Sequence, residues 1–252
     1  MTLMQRTLFE NTAIRQIEAG DAWVVSLVAD SSTFVEVECS AYLEPYLKVR
    51  LEGTKLEIGF AERVYPLGGS VYRAIVHTAQ LEAVAADDAA TVQCTGRFAG
   101  QDICIGLAGA ATCNNLAFEG TSCEIKLDDA SVLAGFQFVG SSCKAELDDA
   151  SQCNARMEVA DHIDIVLDGK SRFVSKGGTT ATARLNLQNA SLLNMAETQV
   201  GQMQVELGSG SEATVHVTET LSGTLTAAST MYYKGQPRIN IDCTAGSQLI
   251  PF

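Results

Sequence analysis

Proline, helical periodicity and long apolar runs are scarce or absent in this chain. Only four of its 252 residues are proline, and the apolar residues show no sustained spacing of 3.6, so we do not expect a helical fold. A membrane-spanning helix needs about 18 or more consecutive apolar residues, and the sequence contains no such run. We therefore expect no insertion into a membrane.

Basic residues are also few. Lysine and arginine number 17 against 30 aspartates and glutamates, which gives a formal net charge of −13. Because no basic cluster offsets this excess, neither nucleic acid nor anionic lipid is an expected partner. Residues 1–6 include no apolar stretch of signal-peptide length. The sequence therefore indicates either a cytoplasmic protein or one whose leader precedes the printed sequence.

The sequence contains no recognisable catalytic or metal-binding motif. It has neither a CxxC pair nor a phosphate-binding glycine loop, and its three histidines, His77, His162 and His216, do not share metal-ligand spacing. Asp161 and His162 lie near serines, but a catalytic triad is defined by its geometry, and nothing in the spacing fixes one. We therefore expect no catalytic residue, no metal and no cofactor.

A five-residue echo recurs every twenty residues and is the most informative feature of the chain. Strong copies begin at Leu127, Leu147, Leu167 and Leu187, and weaker copies begin at Ala86, Leu107, Leu207, Leu225 and Cys243. An interval of about this length is the signature of a solenoid, in which each repeat is one coil that buries its apolar face against its neighbours.

Apolar columns appear when the copies are aligned. Before the echo, the columns are Ile103, Cys123, Cys143, Ile163, Ala183 and Met203, then Ile105, Ile125, Ala145, Ile165, Leu185 and Val205, then the leucines from Leu107 to Leu207. After the echo, the column is Cys113, Leu133, Cys153, Phe173, Leu193 and Ala213. Because the residues between the first three columns are mostly polar, each repeat is expected to contain a strand with one buried face.

The third place of the echo predicts a bend in each coil. It holds Gly109, Asp129, Asp149, Gly169, Asn189 and Ser209. Most of these residue types tolerate positive φ or hydrogen-bond to their own backbone.

The outward columns support the same register. Glu124, Lys144, Asp164 and Arg184 alternate in sign, and Lys126 lies opposite Glu146 in a second column. In parallel strands these side chains are expected about 4.8 Å apart, where opposite charges attract, by no more than about 1 kcal/mol for each exposed pair.

These patterns predict an all-β protein, a single-stranded right-handed parallel β-helix with coils of about 20 residues, over residues 81–252. A right-handed coil is favoured because the six-residue sub-repeats of a left-handed triangular helix are not seen. Residues 1–80 lack the echo but contain strand-like runs at 23–28, 34–39, 47–51, 55–60 and 72–78. We assign them to an N-terminal β cap continuous with the solenoid, because a terminal coil must cover an open end.

Eight cysteines are present, but their positions do not suggest four disulfides. Cys123 and Cys143 share a column with isoleucine and methionine, and Cys113 and Cys153 lie two coils apart, about 9.6 Å, beyond disulfide reach. Most of these thiols are therefore expected to act as small apolar core residues. Cys104, in an outward column, is the exception.

A carboxylate ladder at the bend is the one candidate for metal binding. Asp128, Asp148 and Asp168 are expected to stack, with Asp129 and Asp149 beside them and Asp87 and Asp88 in an earlier coil. Calcium takes six to eight oxygen ligands, but the ladder shows no loop that closes around one centre. Aspartate also favours turns for its own backbone hydrogen bonds, and we expect this role.

Some β-helix proteins cleave acidic polysaccharides with aspartate-bound calcium and a basic residue. Lys170, Arg172 and Lys176 follow Asp168, which keeps a lyase or hydrolase as an alternative. These basic residues do not recur in a cleft-forming pattern, and a likeness of fold alone is weak support for an activity.

The chain resembles the autotransporter-adhesin head-domain family of bacteria. The similarity lies in the small-residue echo at 129–131, 149–151 and 189–191, in residues 233–237 and 244–247, and in the strands at 47–51 and 53–58. Where the family commonly has Ser-Gly-Ala-Ser at the echo, aspartate replaces glycine in two copies here. The resemblance implies a β-helix, a position in the cell envelope or outside the cell, and a role in adhesion, and it supplies no catalytic or ligand residues.

We therefore expect a non-enzymatic cell-envelope or surface protein, an adhesin that binds a glycan or an envelope protein. A polysaccharide-active β-helix enzyme is the first alternative. An intracellular β-helix scaffold is the second, because the opening residues lack a leader and the cysteines do not pair.

Overall fold

The computed structural model describes residues 2–252, in which strands follow one another with one short helical turn, the 3-10 helix Ala41–Tyr46. The strands are β1 (Leu3–Leu8), β2 (Gln16–Ala19), β3 (Val24–Ala29), β4 (Phe34–Ser40), β5 (Leu47–Glu52), β6 (Lys55–Phe60), β7 (Tyr72–Thr78), β8 (Ala83–Ala86), β9 (Thr91–Thr95), β10 (Phe98–Ala99), β11 (Asp102–Leu107), β12 (Thr112–Asn114), β13 (Ala117–Glu119), β14 (Ser122–Leu127), β15 (Val132–Leu147), β16 (Gln152–Leu167), β17 (Arg172–Ser175), β18 (Gly178–Leu187), β19 (Leu192–Leu207), β20 (Glu212–Leu225), β21 (Thr230–Lys234), β22 (Arg238–Cys243) and β23 (Gln248–Pro251).

Parallel pairing stacks these strands into a β-solenoid of about 8 turns. In the leucine column the pairing offset is twenty residues from β11 to β19, so Leu107 lies beside Leu127, and Leu127 beside Leu147. It becomes eighteen where Leu207 pairs with Leu225 and where Leu225 pairs with Cys243. The predicted fold class and coil length are confirmed, whereas the right-handed coil stays a prediction.

The predicted apolar columns form the core. Every residue of the three columns before the echo and of the column after it is at most 3% exposed. Fully burying a leucine, isoleucine or phenylalanine side chain contributes about 1.5–3 kcal/mol. A coil alone cannot provide this burial, because each inward side chain is covered by its counterparts one coil above and one coil below.

The first eighty residues also take part in the stack. Strand β2 lies between β6 and β8, and β3 lies between β7 and β9, with parallel pairing throughout. The coil that contains β2 and β3 therefore lies between the first echo-bearing coil and the coil of β6 and β7, which follows it in the sequence by about 40 to 50 residues. Trp23, fully buried in this coil, packs with ring centroids 5.7 Å from Phe60 and 5.9 Å from Tyr72.

Antiparallel strands follow at the N-terminal end of the stack. Strand β4 pairs with β7 and with β1, and β5 pairs with β6. Strands β6 and β7 coincide with their predicted bounds, and β3, β4 and β5 differ from theirs by one residue, but the sequence did not predict β1 or β2. The division of the chain at residue 80 into a cap and a solenoid stays a prediction.

At the C-terminal end, β22 pairs with β20 and β23 pairs with β21. Within residues 2–252 neither strand has a partner on its other edge. Side chains in the inward columns are consequently uncovered here: Ile239 is 43% exposed, whereas Leu221, one coil earlier in the same column, is 0% exposed. Among the same residues, no helix has the length and apolar content needed to cross a membrane.

Candidate functional site

Each echo-bearing coil turns through two consecutive residues with left-handed backbone. In the coil of Asp128 these are Asp129, with φ of 51°, and Ala130, with φ of 59°. The amide of Ser131 donates to the carbonyl of Asp128 over 3.1 Å, which closes a four-residue turn of type I′. Positive φ recurs at Gly109, Asp149, Gly169, Asn189 and Ser209, so the predicted bend at the third place is confirmed.

Alanine in the fourth place of the echo also has a left-handed backbone, with φ of 59° at Ala130 and 64° at Ala150. This conformation costs a residue with a Cβ about 1–2 kcal/mol. Hydrogen bonding between turns offsets the cost, because the amide of Ala130 donates to the carbonyl of Asp149 in the next coil over 2.9 Å. The same bond joins Ala150 to Gly169. The turns thus form a continuous hydrogen-bonded column, which we call the turn stack.

Serines in the fifth place join several turns to the preceding coil. Ser131 Oγ donates to the carbonyl of Leu107 and Ser151 Oγ donates to that of Leu127, both over 3.1 Å. Both serines are fully buried. Ser211 holds the same place, but its buried Oγ has no hydrogen-bond partner among the described residues.

The carboxylate ladder fixes the turns, as expected from aspartate chemistry. Asp128 Oδ1 accepts from the amide of Asp129 over 2.8 Å, and Asp148 makes the same bond to Asp149. Asp168 Oδ1 accepts from the Gly169 amide over 2.6 Å. Gly169 has φ of 59°, and an added Cβ would lie 2.6 Å from Asp148 Oδ1, so a side chain at this place would have to shift that carboxylate.

Three exposed carboxylates, those of Asp128, Asp129 and Asp149, have oxygens within 4.8 Å of one another. Repulsion, chiefly from Asp148, raises the pKa of Asp149 above its ordinary value of 3.8. Each of the three offers one oxygen to a common point, whereas calcium takes six to eight oxygen ligands. The expectation that no metal binds here stays a prediction.

A groove of about 690 Å³ runs beside the turn stack. Two rows of outward side chains line it, with Ala86, Leu107, Leu127 and Leu147 between them. The outer row is Glu18, Ala85, Gly106, Lys126, Glu146 and Val166, and the acidic row is Asp87, Ala108, Asp128, Asp148 and Asp168. Members of the outer row pair in register from β2 through β8, β11, β14 and β15 to β16. Five coil steps of about 4.8 Å give the groove a length of about 24 Å.

Small side chains in two adjacent coils produce the groove. Ala85 lies between Glu18 and Gly106 in the outer row, and Gly106 lies between Ala85 and Lys126. An added Cβ at Gly106 would have no heavy atom within 4 Å. The surface is therefore low where these residues lie and rises where long charged side chains resume on both sides.

The groove is strongly negative. It contains six carboxylates, those of Glu18, Asp87, Asp128, Glu146, Asp148 and Asp168, and one ammonium group. That ammonium, Lys126 Nζ, lies 2.9 Å from Glu124 Oε1, which offsets its charge. The groove thus favours cations and hydroxyl donors and disfavours anions.

The alternating charge column has the predicted register but not the predicted ion pairs. Glu124, Lys144, Asp164 and Arg184 lie side by side on consecutive coils, which confirms the register. Lys126 and Lys144 instead form ion pairs along their own strands, with Glu124 over 2.9 Å and with Glu146 over 2.5 Å, whereas Arg184 lies 3.6 Å from Glu206 on the next coil, outside the column. Residues two apart on one strand share a face, so the flexible lysine side chains reach them as readily as the neighbouring coil.

The other candidate residues do not converge on one site. Lys170, Arg172 and Lys176 are exposed and lie outside the lining of the groove. His77 stacks on Phe34 with ring centroids 4.1 Å apart.

The remaining histidines have separate surroundings. His162 Nδ1 lies 2.9 Å from Thr182 Oγ1 on the next coil. Burial lowers the pKa of His216, and the positive charge of Lys234 lowers it further.

The cysteines occupy the predicted columns. Six are buried and unpaired, and burial raises the pKa of the Cys113 thiol to about 12. Cys104 is exposed as expected. Cys243 is exposed as well, because its inward column reaches the uncovered last coil.

Comparison with known proteins agrees with this description. A family model described as "Putative auto-transporter adhesin, head GIN domain" matches residues 14–237. No curated protein matches the chain.

Several solved structures share the fold. A crystal structure titled as a putative adhesin from Parabacteroides merdae ATCC 43184 has a TM-score of 0.63 at 13% identity, over 99% of this chain and 96% of that one. A putative lipid binding protein from Parabacteroides distasonis ATCC 8503 has a TM-score of 0.66 at 16% identity, with the same coverage. A putative adhesin from P. distasonis ATCC 8503 has a TM-score of 0.62 at 14% identity, over 100% and 97%.

The family model covers most of the chain, and the resemblance inferred from the echo and the opening strands is confirmed. This protein belongs to the family of auto-transporter adhesin head domains.

Proposed function

We propose that this protein is a cell-surface adhesin that holds an extended partner in the groove without transforming it. Membership of an adhesin head family supports the class of function. The observation that carries the proposal is the open, negatively charged groove of about 690 Å³. Small metabolites usually occupy enclosed pockets, whereas the surfaces of solenoids suit long partners that make many modest contacts.

The charge of the groove selects the partner. Six carboxylates against one paired ammonium complement an extended segment rich in lysine or arginine, carried by another envelope protein. Complementary charge increases the association rate and excludes partners of like charge. A neutral glycan is the second candidate, because the same carboxylates can accept hydrogen bonds from sugar hydroxyls.

Catalysis receives little support from the same residues. The ladder aspartates already accept backbone hydrogen bonds within their own turns. The cation of the groove, Lys126, is engaged by Glu124. A negative groove would also repel the acidic polysaccharides that a lyase of this fold would cleave.

Binding of defined charged probes tests the choice of partner. Decalysine, a neutral oligosaccharide panel and an acidic oligosaccharide would be titrated by calorimetry into the wild type and into an Asp128→Asn, Asp148→Asn double variant. Asparagine keeps an oxygen that can accept the turn amide. Since each exposed ion pair contributes about 0.2–1 kcal/mol, the double variant should bind decalysine about 2- to 30-fold more weakly.

Asp161→Asn, which removes one exposed charge outside the groove, is the control and should bind as the wild type does. Equal weakening in the control would show that net charge alone drives binding. Preference for the neutral oligosaccharide over decalysine would favour the glycan candidate. Release of reducing or unsaturated ends from the acidic oligosaccharide would contradict the adhesin proposal and support a polysaccharide-active enzyme.

The proposed location is tested on intact cells. If the protein lies at the cell surface, a membrane-impermeant amine label should modify it before the cells are broken. Labelling only after lysis would favour the intracellular scaffold.

A further inference from the structure

Within residues 2–252, strand β22 has one unpaired edge. Strand β22 pairs in parallel with β20 along one side. The structure describes no partner on its other side within residues 2–252. An unpaired strand edge offers a row of backbone donors and acceptors to another chain.

The same end leaves apolar side chains uncovered. Ile239 and Ile241 follow Leu221 and Gly223 in the inward columns. Ile239 is 43% exposed, and Ile241 is partly exposed, whereas Leu221 is fully buried. Covering these side chains would complete the core that the preceding coils share.

The sequence of β22 is complementary to itself when it runs antiparallel. Residues 238–242 read Arg, Ile, Asn, Ile, Asp. With Asn240 on a two-fold axis, Arg238 lies opposite Asp242 of a second copy, and Ile239 lies opposite Ile241. Directly opposed residues in a sheet share a face, so the isoleucines meet over the open core while the charges meet on the outer surface.

We infer that the C-terminal end of the solenoid is a self-association surface, on which β22 of two copies pair in antiparallel fashion about Asn240. Charge complementarity selects a second copy as the occupant. Arg238 and Asp242 are exposed, and in the described part of the chain neither forms an ion pair. An interface with two-fold symmetry then contains the Arg238 to Asp242 pair twice.

Other registers satisfy the strand less well. A shift by one residue would turn the isoleucines to the outer surface. Placing Ile241 on the axis would set Asn240 opposite Asp242 and would leave Arg238 beyond the strand of the partner. Pro251 in β23 has no amide hydrogen to donate, so the sheet extends across β22 and not across that residue.

Sedimentation equilibrium of the 252-residue chain over a range of concentrations tests this surface. The wild type should approach twice the monomer mass of 26.8 kDa. Arg238→Asp and Asp242→Arg should each remain monomeric at concentrations where the wild type is mostly dimeric. An equimolar mixture of the two variants should regain the dimer, because each charge then lies opposite its complement in the heterodimer.

Arg172→Asp is the matched control, since it makes the same change of charge on an exposed residue of the central coils, and it should dimerise as the wild type does. Recovery in the mixture distinguishes loss of pairing from loss of folding. A monomeric wild type, unchanged dimers in both variants, or a mixture that stays monomeric would each overturn the inference. A mass that keeps rising beyond the dimer would also overturn it, because it would indicate stacking end to end.

Discussion

Lys144 and Glu124 occupy paired positions on adjacent coils, yet Lys144 Nζ lies 2.5 Å from Oε1 of Glu146 on its own strand. The alternating column therefore reports the register of the coils, while the ion pairs of Lys126 and Lys144 connect residues within a coil. Lys144 therefore has three negative neighbours: Glu146 on its own strand, and Glu124 and Asp164 on the adjacent coils.

Reversing that charge should destabilise the protein. We expect Lys144→Glu to lower the free energy of unfolding by about 0.5–1.5 kcal/mol, because it removes the ion pair with Glu146 and places three negative charges in a row. Urea denaturation measures the change. Lys176→Glu, on an exposed residue outside the column, should alter stability by less than about 0.5 kcal/mol. Equal losses in both variants would contradict the importance of the column.

The buried serines of the turn stack should differ in their contributions. Ser131→Ala removes the hydrogen bond from Oγ to the Leu107 carbonyl and should cost about 0.5–1.5 kcal/mol. Ser211→Ala should be neutral or stabilising, because its buried Oγ has no hydrogen-bond partner in the described structure. Thermal unfolding of the two variants side by side decides this. A larger loss for Ser211→Ala would show that its hydroxyl is satisfied by water or by another group.

The repulsion around Asp149 should make the stability of the folded protein depend on pH. A raised folded-state pKa means that the folded protein disfavours the carboxylate. The destabilisation is therefore absent below the unfolded-state pKa near 3.8 and is fully present once the pH exceeds the folded-state value.

Asp149→Asn should consequently raise the melting temperature at pH 7 in low salt and change it little at pH 3. Asparagine suits the left-handed backbone at this place, because Asn189 has a φ of 54° at the same place two turns after Asp149. Asp161→Asn serves as the control. A stabilisation of equal size at both pH values would point to backbone preference rather than charge.

Much of the fold can be predicted from the sequence because the solenoid repeats its environment. A residue such as Ile125 or Leu147 is buried for the same reason as its counterparts one coil away, so twenty-residue columns reveal the core. Positive φ at Asp129 follows from the same alignment, because the third place of the echo holds glycine or asparagine in other coils, and both tolerate positive φ.

The inserted coil could not be found in that way. Asp21 and Ala22 have φ of 53° and 56° and join the turn stack through a 2.8 Å bond from the Ala22 amide to the Asp88 carbonyl. Residues 19–23 therefore form another copy of the turn, but it lies far from the next copy in the sequence, and Trp23 replaces the serine. Spatial order that departs from chain order removes the periodic signal.

Only one wall of the groove can be predicted from the sequence. The stacked aspartates of one wall follow from the echo. The depth of the groove depends on two neighbouring coils that both carry small residues in the outer row, Ala85 and Gly106, and these belong to copies where the interval is twenty-one rather than twenty. The open last coil was also missed, because Ile239 and Cys243 continue apolar columns that are buried everywhere else.

The thiols should be reduced and mostly inaccessible. Titration of the unreduced protein in denaturant should find all eight cysteines free, whereas the native protein should expose only Cys104 and Cys243 to a thiol reagent. Buried thiols such as Cys113 react slowly, because burial raises the pKa to about 12 and little thiolate forms. A thiol count near zero in denaturant would mean that the cysteines pair in an oxidising compartment.

Occlusion of the groove tests the central claim most directly. Gly106→Gln places a side chain in the groove where an added Cβ has open space, and removing a glycine from a strand should preserve or raise stability. Decalysine binding would be measured by calorimetry for the wild type and for this variant at low and high salt. We predict binding to the wild type that weakens as salt rises and at least a tenfold loss of affinity in Gly106→Gln, with an unchanged or higher melting temperature. Equal affinity in the two proteins would contradict the groove as the binding site.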